Sequence, residues 1–137
     1  MPNCVLDASA TLPWCFQDEA TAWSAALLQA LKNGDDARVP AHWAVEVSNA
    51  FLSALKRRRF AMADLQSFWN DLAQLPISVE PALSPAEAKS VLTLAANCNL
   101  TIYDATYLEL AIRLSLPIAT LDTALGRAAS TYNVAVL

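Results

Sequence analysis

"NCVLD", residues 3–7, is an apolar run that ends on an acid. A segment this short and apolar is expected to form a strand buried on both faces of a parallel sheet, although periodicity alone does not prove so short a strand. The segments that follow it decide the class. "DEATAWSAALLQALKNG" (18–34) reads as a helix, with Trp23, Ala26, Leu27, Ala30 and Leu31 at helical spacing. Asp18 and Glu19 suit its first turn, and Lys32 with Gly34 makes a stop signal. "ARVP" (37–40) is a second strand stopped by Pro40. A helix over 42–57 carries Trp43, Val47, Ala50, Phe51, Ala54 and Leu55 on one face. Another is expected over 63–75, ended by Pro76, and "ISVE" (77–80) is a third strand.

Ser84, Pro85 and Glu87 spell a capping box with proline at the first helical position, opening a helix in "SPAEAKSVLTLAANCN" (84–99). A helix over 104–115 comes next, then "PIATLD" (117–122) as a fourth strand, a short helix through about 131, and "NVAVL" (133–137) as a terminal strand. Short apolar strands alternating with helices predict a three-layer α/β/α domain around a mainly parallel sheet. A chain of 137 residues fits one domain spanning 1–137.

Composition narrows the function. Hydrophobic residues make up 55% and charged residues 16% of the chain, and the net charge is −4, which excludes wholesale coating of nucleic acid but not a local basic patch. The dense basic run Lys56-Arg57-Arg58-Arg59 is the candidate for RNA backbone contact, against the plainer reading of a solvated helix end. Cys4, Cys15 and Cys98 are odd in number and widely spaced, which fits a reducing cytoplasm rather than a disulfide framework. No signal-peptide pattern and no uncharged run of about 20 residues is present, so neither secretion nor membrane insertion is expected.

The acids carry the chemistry. Asp7 and Asp122 each follow an apolar strand, so both are expected at the carboxyl edge of the sheet, close together if their strands are neighbours. Asp104 opens the helical pattern of "TIYDATYL" (101–108) and reads first as that helix's N-cap. It also lies four, seven and eleven residues before Leu108, Ala111 and Ser115, so its direction continues the buried stripe. Glu46 borders the apolar face of Trp43, Val47 and Ala50. Carboxylates gathered in one cleft repel unless a cation neutralises them, and an oxygen-only donor set suits Mg²⁺ or Mn²⁺. His42 is the only histidine, which argues against zinc.

In order, "VLDAS", "WAVEVSNAF", "TIYDATYLELA" and "IATLD" resemble the PIN-domain ribonucleases, and the compact length resembles the VapC-type toxins of toxin–antitoxin pairs. The resemblance covers essentially the whole chain. It implies a Mg²⁺-dependent endoribonuclease with Asp7, Glu46, Asp104 and Asp122 as catalytic, metal-binding acids and Ser9, Asn49 and Thr120 as supporting residues. It also implies an RNA substrate, a cognate antitoxin and a homodimer. Trp14, Phe16, Trp43, Phe60, Phe68 and Trp69 are candidates for an apolar docking surface, with ordinary core packing as the alternative. Receiver domains and haloacid-dehalogenase-like enzymes fit poorly: no lysine follows the last strand, and "LDASAT" lacks a second aspartate two positions after Asp7. A glycine-rich nucleotide loop is excluded because Gly34 and Gly126 are the only glycines. The remaining alternative is a non-catalytic PIN-like module that holds RNA or protein without cutting.

Overall fold

The computed structural model describes residues 3–137. Strands β1 (Cys4–Leu6), β2 (Ala37–Val39), β3 (Ile77–Val79) and β4 (Ile118–Ala119) form one parallel sheet in the order β3-β2-β1-β4. Val5 stands at its centre, in register with Arg38 on one side and Ile118 on the other. β1 and β4 are completely buried, whereas β3 is an edge strand that leaves Val79 exposed. The apolar run that opens the chain is thus the middle of the sheet, where burial on both faces demands continuous hydrophobicity.

Helices α1 (Ala8–Thr11), α2 (Ala22–Lys32), α3 (Trp43–Lys56), α4 (Met62–Ala73), α5 (Pro85–Cys98), α6 (Ile102–Leu114) and α7 (Thr123–Thr131) flank the sheet in the expected three-layer arrangement. The chain steps from β1 to β2 to β3 in one direction, then returns to lay β4 on the far side of β1. Such a reversal opens a crevice outside the carboxyl ends of the two strands where it occurs, here β1 and β4.

Several elements differ from the sequence reading. α2 begins at Ala22 rather than Asp18, because Thr21 and Ser24 form a reciprocal cap and leave Asp18 and Glu19 in a separate 3-10 turn. The paired part of the fourth strand ends at Ala119, where the Thr120 hydroxyl turns to side-chain partners. "NVAVL" forms no strand: Val136 makes a single parallel bridge to Ile118, held by Ile118 N–H donating to Ala135 O at 2.9 Å and Leu137 N–H donating to Ile118 O at 3.0 Å. A two-residue β4 offers too short a ladder to extend.

The aromatic residues are packed together, as in the core-packing alternative, though four of the six stay partly exposed. Phe16 and Trp43 are buried, and Trp14, Phe60, Phe68 and Trp69 pack partly buried against the core. Phe16 stacks on Phe60 with centroids 5.3 Å apart, and Phe51 meets Phe16, Phe68 and Trp69 at 5.7–5.9 Å. Tilted and edge-on rings at these separations are favourable interior contacts. Among the described residues, no helix is long and apolar enough to cross a membrane.

Candidate active site

Asp7 leaves β1 at its carboxyl end and occupies the N-cap position of α1, with its side chain 4% exposed. Its backbone N–H donates to Ala119 O at 3.0 Å, extending the β1–β4 pairing into the turn. Its Oδ2 accepts the Ser9 hydroxyl at 2.6 Å and the Thr120 hydroxyl at 2.8 Å. The same hydroxyl oxygens accept in turn from the backbone: Ser9 Oγ from Leu121 N–H and Thr120 Oγ1 from Asp122 N–H. Ser9 and Thr120 therefore stitch the two strand ends together around one carboxylate. Burial raises the Asp7 pKa, the two hydroxyls oppose that rise, and the charges of Glu46 and Asp122 add to it.

Asp122 N-caps α7, with Oδ1 accepting from Leu125 N–H at 2.9 Å. Asp104 is not a cap. Thr101 caps α6 by accepting the Asp104 backbone N–H at 3.2 Å, which moves Asp104 into the first helical turn. The β-branched hydroxyl two residues before the helix's apolar run displaces the acid from that duty, since Thr is itself a good N-cap. Asp104 is consequently available to the crevice. Its pKa is pushed up to about 6, first by desolvation and then by the charges of Asp122, Asp7 and Glu46. The charges that move it are all negative, so the four acids share one field.

Glu46 lies in the first turn of α3. The Tyr107 hydroxyl donates to its Oε1 at 2.7 Å, and His42 Nε2 stands 3.1 Å from the same oxygen without hydrogen-bond geometry. Each of the four acids therefore sits at a helix N-terminus, where the positive end of the helix dipole partly offsets their mutual repulsion.

The supporting residues divide. Ser9 and Thr120 touch Asp7, while Asn49 is exposed on α3 one turn beyond Glu46 and contacts none of the acids. The basic run lies at the other end of α3, with Lys56 about 15 Å from Glu46 along the helix at 1.5 Å per residue. Arg59 is engaged within the protein: it pairs with Asp18 at 3.0 Å and sits over the Phe16 ring, 4.8 Å from its centroid. All four residues of the run are exposed. Tyr107 and His42 were not marked as site residues by the sequence reading. Their signal was spacing, because Tyr107 follows Asp104 by three residues and His42 precedes Glu46 by four, which places each on its acid's helix face.

Among the described residues no three His, Cys, Asp or Glu side chains are gathered tightly enough to hold a metal ion as they stand. The donor set nevertheless fits a hard divalent cation: it is all oxygen, drawn from four helix starts, with the charges of Asp7, Glu46 and Asp122 adding to the burial that raises the Asp104 pKa.

The PIN domain family model matches residues 4–130 of the chain. The crystal structure of PAE2754 from Pyrobaculum aerophilum is similar in fold, with a TM-score of 0.70 and 21% identity, covering 98% of this chain and 83% of that one. No curated protein matches the chain.

Proposed function

The chain belongs to the PIN-domain family, and from that premise we propose that it is a metal-dependent endoribonuclease that hydrolyses RNA phosphodiester bonds. PIN domains are generally nucleases that use divalent metal ions. The observation that carries the reading is the buried Asp7 carboxylate at the carboxyl end of β1, held by the Ser9 and Thr120 hydroxyls and within electrostatic reach of Glu46, Asp104 and Asp122. Those four acids would hold Mg²⁺, with Mn²⁺ as a substitute. Bound there, the ion would supply a polarised water at neutral pH and charge stabilisation on the phosphate.

The chain's own residues account for the rest. Ser9 and Thr120 fix the rotamer of Asp7 and, by donating to it, favour its ionised form against burial. Asp122 keeps one oxygen on the α7 backbone, which fixes its direction. Thr101 caps α6 in place of Asp104, whose carboxylate interacts with Thr101 and with the charges of Asp122, Asp7 and Glu46. Exposed Tyr103 and Leu121 flank Asp104 and Asp122 and offer apolar surface to a base next to the cleaved bond.

The finer reading is a VapC-type toxin of the cytoplasm, a homodimer restrained by a cognate antitoxin. Support comes from the resemblance of the four motifs and the compact length. The test is cleavage of a labelled single-stranded RNA by purified protein with EDTA, Mg²⁺ or Mn²⁺, followed by sequencing of the product ends. Cutting that is equal with and without EDTA sinks the metal mechanism. RNA retention without cutting under every metal condition favours the non-catalytic alternative. Growth arrest on expression, relieved by co-expressing the neighbouring open reading frame, supports the toxin reading; no arrest removes it.

A further inference from the structure

Glu46 is the acid whose neighbourhood is least like the others. Asp7 and Asp122 are held by hydroxyls and backbone N–H groups close in sequence or across the β1–β4 turn. Glu46 sits on a different layer, at the end of a longer and more flexible side chain, with no backbone donor. Without a tether its carboxylate would sample several rotamers and spend only part of its time in the crevice.

The tether comes from α6. Tyr107 is fully buried, one turn after Asp104, and its hydroxyl reaches across to α3 to donate to Glu46 Oε1 at 2.7 Å. His42, at the N-cap position of α3 and one turn before Glu46, brings Nε2 to 3.1 Å from the same Oε1. The imidazole is itself wedged edge-on between Tyr103 and Tyr107, with centroids 5.5 and 5.2 Å away. Tyr107 holds Oε1 by a hydrogen bond, His42 packs beside the same oxygen without one, and Glu46 Oε2 accepts no hydrogen bond from the described residues.

We infer that Tyr107, by its hydrogen bond to Oε1, and His42, by packing beside that oxygen, are positioning residues that orient Glu46 and so hold its second oxygen unclaimed for a divalent cation shared with the other three acids. The inference rests on the metal-dependent reading above. Tyr107 suits the task because it joins two carboxylate-bearing elements: its helix carries Asp104 and its hydroxyl holds Glu46. Fixing a ligand's rotamer in this way typically changes metal affinity 10- to 100-fold.

The experiment is a double-mutant cycle on Mn²⁺ affinity, measured calorimetrically on the full chain with Tyr107→Phe, Glu46→Gln and the pair, circular dichroism and thermal melts confirming the fold. Tyr107→Phe keeps the buried ring and removes only the hydroxyl. The expected result is a loss of about 10-fold in Mn²⁺ affinity in the Glu46 background and less than about 2-fold in the Glu46→Gln background. His42→Leu, on the partly exposed side, is a second probe that does not reach the core; a loss of about 3-fold, again confined to the Glu46 background, is expected. Wild-type affinity in both variants, or equal losses in both backgrounds, overturns the positioning role while leaving the metal reading intact. Absence of Mn²⁺ binding by the wild-type chain overturns both together.

Discussion

Helix α3 joins two regions built on opposite principles. Its first turn delivers Glu46 to a crevice where burial and neighbouring carboxylates oppose the ionisation of Asp7 and Asp104. Farther along, Phe51 enters an aromatic cluster with Phe16, Phe68 and Trp69, and just past the helix end Arg59 lies over Phe16 and Phe60 while pairing with Asp18. In the aromatic region every neighbour is favourable, and the cation has an anion and a ring face. In the crevice, burial and like charge oppose the ionised form that the site needs. One helix thus draws stability from its aromatic region and spends part of it at its acidic start, a division expected when a ligand site is assembled on a rigid scaffold.

The division predicts that the two regions respond to different perturbations. Truncating Phe51, which is 3% exposed, removes a ring touching three others, so Phe51→Ala should lower unfolding free energy by about 3–4 kcal/mol in urea titrations. Residual folded protein at low temperature should still bind Mn²⁺. Loss of binding beyond the unfolded fraction would show that the regions are not separable.

Asp7→Asn makes the reverse experiment. The amide keeps an acceptor for Ser9 and Thr120 and removes a buried charge, so the melting temperature should hold or rise. RNA cleavage in single-turnover assays should fall by about 100-fold or more, at least the upper end of what supporting residues at metal sites cost. A variant that stays folded and cuts at the wild-type rate would remove Asp7 from the site.

The charge strain itself has a pH signature. Asp104 has a folded pKa of about 6 against 3.8 for the ordinary group, and Asp7 is shifted in the same direction. The folded protein therefore takes up these protons more readily than the unfolded chain, and the destabilisation they cause is greatest above pH 6. It is relieved as pH falls from above 6 toward 4. Glu87, shifted downward by its Ser84 cap, acts oppositely only at lower pH. In EDTA the melting temperature should be higher near pH 5 than near pH 7.5, by on the order of a few degrees. Mg²⁺ should raise the value at pH 7.5 and shrink the difference. A flat profile in EDTA would mean that the four acids do not share a field.

The smallest effect belongs to Arg59. Its ion pair is solvent-exposed and its ring contact modest, so Arg59→Ala should cost about 1 kcal/mol of stability. The salt dependence of RNA binding should hardly change, whereas neutralising exposed Lys56 and Arg57 should flatten it. An equal flattening by Arg59→Ala would return that residue to the RNA-contacting group.

Several elements were legible in the residues. The Ser84-Pro85-Glu87 start of α5 appears as spelled, because a capping box is satisfied by neighbours in sequence. The apolar runs at β1 and β4 pointed to the parallel sheet, and the acids that follow them, Asp7 directly and Asp122 three residues on, pointed to the crevice edge. Asp104 was less legible. Thr101 and Asp104 are both competent caps three residues apart, and only the turn of chain leaving α5 determines which one meets the helix start. The aromatic residues left two readings open for a related reason: a helical face that is apolar in sequence does not state whether another helix or the solvent lies against it.

By itself, then, the sequence determined what depends on near neighbours and on periodicity: which segments are strands and helices, where most helices begin and end, and which acids terminate strands. Tertiary structure alone decided what depends on contacts between distant segments. These are the placement of β1 beside β4, the Ser9 and Thr120 hydroxyls meeting on Asp7, the Tyr107 hydroxyl reaching Glu46, and the diversion of Arg59 to Asp18 and Phe16. The physical reason is range: a cap or an amphipathic stripe is fixed within a few residues, whereas a hydrogen bond across 61 or 113 residues exists only once packing has brought its two ends together.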